Sequence, residues 1–258
     1  MQTENAQPAL LTMSIAVLEL LRETGIKPDY VAGHSLGEYS ALVAAEVLPF
    51  EEAVLAVHKR GLFMKEAVPP GKGAMTAVLG MERQQLENIC QQVKEAGHIV
   101  EPANLNCPGQ IVISGSADGV EKAASLAKEA GARRVIPLQV SGPFHSSLMK
   151  PAATRLAEIL NDLHFQDAET PVVANVTASP VTDRNEIRTK LIEQVYSPVR
   201  WEETVRWLLH HNVDTFIEVG AGNVLSGMVR KVERSAKTFS VCDRASMEKM
   251  LEKLGGNQ

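Results

Sequence analysis

The sequence predicts an α/β fold with a mostly parallel sheet, interrupted by a small split-βαβ, ferredoxin-like module. Three observations lead there. Short apolar runs alternate with segments of 3.6-residue periodicity through both ends of the chain, an alternation that favours a parallel sheet covered by helices. Between Pro69-Pro70-Gly71 and residue 140 the order changes to β-α-β-β-α-β, the split-βαβ pattern. The 258 residues, 45% apolar and 22% charged, are enough for one large domain or two small ones.

The elements follow in chain order. Leu10, Ile15, Leu18 and Leu21 recur at helical spacing, predicting a helix over 8–23 with Pro8 in its first turn and Gly25 just past its end. A short strand at 29–32 runs through the turn Gly33 to Gly37 into a helix over 38–46. Pro49 opens a further helix to about Val68, which Pro69-Pro70 stops. Strand 74–79, helix 82–96, strands 99–104 and 110–114, helix 118–130 and strand 133–139 then form the module, with Gly97 and Gly131 ending its helices. We therefore expect a large α/β domain over 1–71 and 141–258 and an inserted subdomain over 72–140. After it come a helix at 146–160, a strand at 171–175, helices at 185–195 and 201–210, a strand at 215–219, a helix from Asn223, a strand at 238–242 and a last helix.

Composition narrows the function classes. Lys plus Arg total 26 against 31 Asp plus Glu, a net charge of −5, whereas a general nucleic-acid binder is basic. Cys90, Cys107 and Cys242 are odd in number and widely spaced, giving neither a disulfide framework nor a zinc pattern, so a reducing compartment is expected; no metal or other cofactor is expected. The longest charge-free apolar stretch, Pro8 to Leu18, is too short to cross a bilayer, and Glu4 stands where a signal peptide would carry basic residues. The expectation is a cytoplasmic monomer without nucleic-acid or membrane partners.

Chemistry concentrates in a few places. Gly33-His34-Ser35-Leu36-Gly37 is a G-x-S-x-G match between a predicted strand and a predicted helix, the context in which that motif lifts a serine hydroxyl above a sheet. Ser35 is the candidate nucleophile, and the backbone N–H of Leu36, at the helix start, is a candidate oxyanion donor. The competing reading is a glycine-bounded turn whose serine caps the helix. Serine needs a base, and of seven histidines His145 is the strongest candidate, since Gly142-Pro143-Phe144-His145-Ser146 lies where the chain leaves the module and re-enters the large domain. Arg60 falls on the apolar stripe Phe50, Ala53, Val57, Met64, Ala67. A guanidinium there either clamps a substrate carboxylate or lays its stem over apolar surface with its head in water or on an internal acid. Glu218-Val219-Gly220-Ala221-Gly222-Asn223 turns from strand to helix through two glycines but lacks the third glycine of a dinucleotide fingerprint.

Together, Gln7-Pro8-Ala9-Leu10, Gly33-His34-Ser35-Leu36-Gly37-Glu38-Tyr39-Ser40-Ala41, Lys59-Arg60-Gly61, Asn106-Cys107-Pro108-Gly109-Gln110, Gly142-Pro143-Phe144-His145 and Glu218-Val219-Gly220-Ala221-Gly222 resemble the malonyl-CoA:acyl carrier protein transacylases over nearly the whole chain. The resemblance implies a hydrolase-like α/β domain carrying a ferredoxin-like insert. It also implies malonyl transfer from malonyl-CoA to the pantetheine thiol of acyl carrier protein. By it Ser35 is the acylated nucleophile, His145 the base, Arg60 the clamp on the malonyl carboxylate and Leu36 an oxyanion donor. Gln7 lies near the site, Phe144 marks the malonyl rather than the methylmalonyl type, and Asn223 supplies the carbonyl that orients His145.

Family members open with a strand and a Gly-Gln-Gly-Ser-Gln loop that supplies a second oxyanion donor, and the sequence given starts beyond it. The resemblance thus implies one donor fewer, a loss that commonly costs about 100 to 1,000-fold in turnover. The alternatives are a serine hydrolase using the same Ser35 and His145, or a shortened, non-catalytic form of the transacylase.

Overall fold

The computed structural model describes residues 2–255. Helix α1 (Thr3–Arg22) begins five residues before Pro8. Pro8 therefore sits in its second turn, and the Glu4 carbonyl that it leaves without a backbone donor lies 2.9 Å from His58 Nδ1 on the helix packed against it. Strand β1 is only Val31–Ala32, followed by α2 (Gly37–Ala44) and α3 (Phe50–Glu66). Helices α1 and α3 approach closely because a side chain at Gly61 would meet the Glu4 backbone at 2.7 Å.

Residues 73–137 contain β2 (Gly73–Leu79), α4 (Arg83–Glu95), β3 (Val100–Cys107), β4 (Gln110–Ser116), α5 (Ala117–Glu129) and β5 (Arg134–Pro137). The strands form an antiparallel sheet in the order β3-β4-β2-β5. Alternation along β4 sends Ile111 and Ile113 to one face, where they join Val78, Leu86, Val93 and Val120 in a core of their own. Val112 goes to the other face, with Met75, Ala103 and Phe144. We propose this unit as the inserted subdomain, bounded at 72 and 140.

The remainder comprises a 3-10 turn at Ser147–Met149, α6 (Lys150–Asn161), β6 (Val172–Val173), β7 (Pro180–Val181), α7 (Arg184–Gln194), α8 (Trp201–His210), β8 (Thr215–Val219), α9 (Val224–Val232), β9 (Lys237–Val241) and α10 (Arg244–Gly255). Strand β1 pairs parallel to β6, and β8 parallel to β9. Strand β7, which has no sequence signal beyond Pro180 at its start, pairs antiparallel to β6. Leu11, Leu42, Val57, Leu156 and Leu191 close the large core between α1, α2, α3, α6 and α7. The predicted helix at 146–160 is split, because Pro151 suits the first turn of α6 and leaves Ser147–Met149 as a separate 3-10 turn. No described helix is long and apolar enough to cross a membrane.

Candidate active site

The turn after β1 positions Ser35. A Cβ on Gly33 would lie 1.9 Å from the Gly37 carbonyl, so only glycine permits a turn this tight. Ser35 has φ +53°, an uncommon conformation for a residue with a side chain. One amide side chain holds both arms of the turn: Asn175 Oδ1 accepts from Ser35 N–H at 2.7 Å, and Asn175 Nδ2 donates to the Gly33 carbonyl at 2.7 Å. Leu36 is the N-cap of α2, and among the described residues no protein group accepts from its N–H. That donor is free at the positive end of a helix.

His145 is 4% exposed and also left-handed, at φ +57°. Its Nε2 lies 2.8 Å from Ser35 Oγ and its Nδ1 2.8 Å from the Gln194 carbonyl. A carbonyl only accepts, so Nδ1 carries the proton and Nε2 offers its lone pair to the serine hydroxyl. Burial first, and the Arg60 charge second, pull the His145 pKa down to about 3, which keeps the ring neutral.

The orienting carbonyl corrects one expectation. Asn223 is exposed and serves as the N-cap of α9, while Glu218 accepts from Leu225 and Ser226 N–H to cap the same helix. The glycine loop is thus committed to starting α9. The carbonyl at His145 comes from the last residue of α7, where helix carbonyls lack intrahelical partners and the dipole is negative.

Arg60 is 1% exposed. Its Nη1 donates to Gln7 Oε1 at 2.6 Å, and its Nη2 to Gln194 Oε1 at 2.8 Å and Ser35 Oγ at 3.0 Å. Among the described residues no carboxylate reaches it in an ion pair, and its Nε has no partner. Tyr39 lies beneath, with the guanidinium 5.7 Å from its ring centre. A cavity of about 230 Å³ opens over these groups, lined among others by Gln7, Leu10, Ser35, Leu36, Arg60 and Phe144.

Of the expected site residues the structure therefore brings together Ser35, His145, Arg60, Leu36, Gln7 and Phe144, and leaves Asn223 outside. Sequence reasoning missed Asn175 and Gln194. Both are ordinary polar residues, one in the segment after β6 and one at the end of α7, with no local spacing to mark them. It also missed the ties from β3. Asn106 Oδ1 lies 2.8 Å from His34 Nε2 and Glu101 Oε2 accepts from Ser147 N–H at 2.6 Å, so the small sheet holds the residue before Ser35 and the second residue after His145.

A family model described as acyl transferase domain matches residues 1–253. The malonyl CoA-acyl carrier protein transacylase of Bacillus subtilis (strain 168) is 59% identical over 252 residues, covering 98% of this chain and 80% of that protein. The solved malonyl CoA-acyl carrier protein transacylase of Coxiella burnetii superposes with a TM-score of 0.95 at 40% identity, over 98% of this chain and 80% of that one. The chain belongs to the acyl transferase domain family, among the malonyl-CoA:acyl carrier protein transacylases. A malonyl-transacylase of this family, solved in complex with its type II PKS acyl-carrier protein, is 43% identical with a TM-score of 0.95, over 98% of this chain and 82% of its own. Its relatives in this transacylase family thus share the frame that carries Ser35, His145 and Arg60.

Proposed function

We propose that the protein moves a malonyl group from malonyl-CoA to the pantetheine thiol of acyl carrier protein through a malonyl ester on Ser35. The observation that carries this reading is a buried guanidinium, without a carboxylate partner among the described residues, 3.0 Å from the nucleophilic hydroxyl. A serine hydrolase acting on neutral esters uses the same pair but gives Arg60 no task.

The hydroxyl proton of Ser35 passes to His145 Nε2 as Oγ attacks the thioester carbonyl. The Leu36 N–H lies at the start of α2 to receive the developing oxyanion, and the imidazolium is steadied by the Gln194 carbonyl at Nδ1. Collapse expels the coenzyme A thiol, which takes the proton from His145. In the second half the carrier thiol gives its proton to His145 and its sulfur attacks the ester carbonyl; collapse breaks the ester bond to Ser35 Oγ, which takes the proton back from His145.

Arg60 selects the acyl group. A malonyl carboxylate replaces the neutral acceptors around the guanidinium with two parallel charge-assisted hydrogen bonds. An acetyl group offers no such partner and leaves the guanidinium on its neutral acceptors. Phe144 walls the cavity on the side of the small sheet.

The test is transfer by Arg60→Ala with malonyl-CoA and acetyl-CoA in parallel. Malonyl transfer should fall by about 10 to 100-fold, the worth of a charge-assisted pair, with acetyl transfer unchanged or raised. An equal fall for both substrates contradicts the assignment.

A further inference from the structure

Arg60 is a buried cation whose hydrogen-bond partners are all neutral, yet a buried carboxylate lies one amide away. Gln194 Oε1 accepts from Arg60 Nη2 at 2.8 Å, and Nε2 of the same amide donates to Glu38 Oε2 at 2.7 Å. Glu38 is 2% exposed, in the first turn of α2, and its Oε2 also accepts from Asn175 N–H at 3.2 Å. No lysine or arginine pairs with it among the described residues. A carboxylate buried without a direct cation is costly unless its charge is balanced nearby. The amide has two unlike ends. Glu38 and the Ser35 carbonyl, 2.9 Å from Nε2, both demand a donor and so turn the Oε1 end toward Arg60.

We propose that Glu38, acting through Gln194, is the counter-anion and positioning residue of Arg60, and that it takes up a proton when a carboxylate-bearing acyl thioester seats on the guanidinium. The inference rests on the reading that Arg60 receives the substrate carboxylate. In the empty site one cation serves one anion across the amide. Substrate brings a second anion into direct contact with that cation, so the anion that loses its charge is the buried one a full amide further off.

The surroundings of Glu38 suit this role. From α3 it faces Arg60, from its own helix Tyr39, and beyond Arg60 lies His145. Burial keeps Tyr39 protonated and His145 neutral. The contacts from α7 and from the segment after β6 are the neutral groups of Gln194 and Asn175. Burial lifts the Glu38 carboxyl to about 7 against the opposing pull of Gln194, Asn175 and Arg60, and cancelling the Arg60 charge lifts it further. Oε2 is occupied by two donors, which leaves Oε1 to carry a proton taken from bulk water, with no other bond changed.

The experiment uses Ser35→Ala, which cannot be acylated, and its double variant with Glu38→Gln. Each is titrated calorimetrically with malonyl-CoA and with acetyl-CoA at pH 7.5, in phosphate and in Tris, whose ionisation heats differ. The expected result is uptake of roughly half a proton or more per malonyl-CoA bound, no such uptake with acetyl-CoA, and loss of the uptake with Glu38→Gln while malonyl-CoA still binds. Malonyl-CoA binding without proton uptake, or uptake unchanged by Glu38→Gln, overturns the proposal and leaves the Arg60 reading standing. Equal affinity for the two thioesters, or no binding of either, overturns the Arg60 reading and the proposal with it. Should Glu38→Gln fail to fold, the unaltered protein decides: the malonyl-CoA KM should rise about tenfold per pH unit above 7, with the acetyl-CoA KM flat, and a malonyl-CoA KM equally flat overturns the proposal.

Discussion

At the scale of single residues, two groups in the site sit far from their ordinary titration ranges, in opposite directions. His145 is pulled from 6.5 to about 3, mainly by burial. The stability its neutral form contributes is complete above pH 6.5 and is lost as the pH falls toward 3. Glu38 is lifted from 4.5 to about 7, again mainly by burial, so its contribution is complete below pH 4.5 and lost as the pH rises through 7. Between pH 4.5 and 6.5 the two slopes offset. Urea unfolding of His145→Gln should therefore decline less steeply than the parent protein between pH 4.5 and 3, the remaining decline coming from carboxylates such as Asp118 and Glu203 that are held below their usual range, and an unchanged decline contradicts the burial argument. Catalysis gives a second readout. Single-turnover acylation at saturating malonyl-CoA should show no loss of rate from pH 8 down to 6, because the base stays neutral throughout; an acid limb near 6.5 would place His145 in a solvated setting.

At the scale of elements, turns carry more information than strand lengths. Glu46 shows why. It follows α2 at φ +60°, and the Val47 N–H returns to the Leu42 carbonyl at 2.9 Å, the closure that normally calls for glycine. Glu46 is exposed and its ion pair with Arg22 is long, at 3.8 Å, so little is lost on replacing it. Glu46→Gly should stabilise the protein by about 0.5–1 kcal/mol in chemical denaturation, and destabilisation would contradict this account of the helix end. The same logic made α3, α8, β8 and the βαββαβ order readable, since each is bounded by proline, glycine or a change of period. Strands β1 and β6 were located but expected longer than they are, and β7 was not read, because two-residue ladders offer no alternation to detect. The start of α1 was misplaced because Pro8 marks a first turn in general and here sits one turn later.

At the scale of the whole molecule, the small sheet turns the face bearing Met75, Ala103 and Val112 toward Phe144 beside the site. The small sheet contributes no catalytic side chain, yet Asn106 holds His34 and Glu101 holds Ser147. The backbone of β3 is also tied to the Val199 segment, by Leu105 N–H to the Val199 carbonyl and Val199 N–H to the Ala103 carbonyl, each at 2.9 Å. Ile113→Ala in the core of the small sheet should cost about 2–4 kcal/mol while leaving the malonylation rate of the folded protein unchanged, as measured by denaturation and single turnover; a lost rate without lost stability would mean that the sheet acts on the site directly. The site was legible where chemistry demands rare residue types in special places, as with Ser35 in a glycine-bounded turn, a histidine at the re-entry point and an arginine on an apolar stripe. It was illegible where a backbone carbonyl or a common amide does the work. Gln194 orients His145 by its main chain, which leaves no trace in residue identity, and the glycine loop at 220–222 drew attention to Asn223 instead.

The central claim is that Ser35, His145 and Arg60 form one acyl-accepting site that requires the far carboxylate of a malonyl thioester. Intact-mass measurement after brief mixing with malonyl-CoA or acetyl-CoA tests it most directly. One malonyl group should be gained, on Ser35, and lost in Ser35→Ala, with acetyl-CoA giving little adduct. An adduct that persists in Ser35→Ala, equal labelling by the two thioesters, or no adduct on folded protein would contradict it.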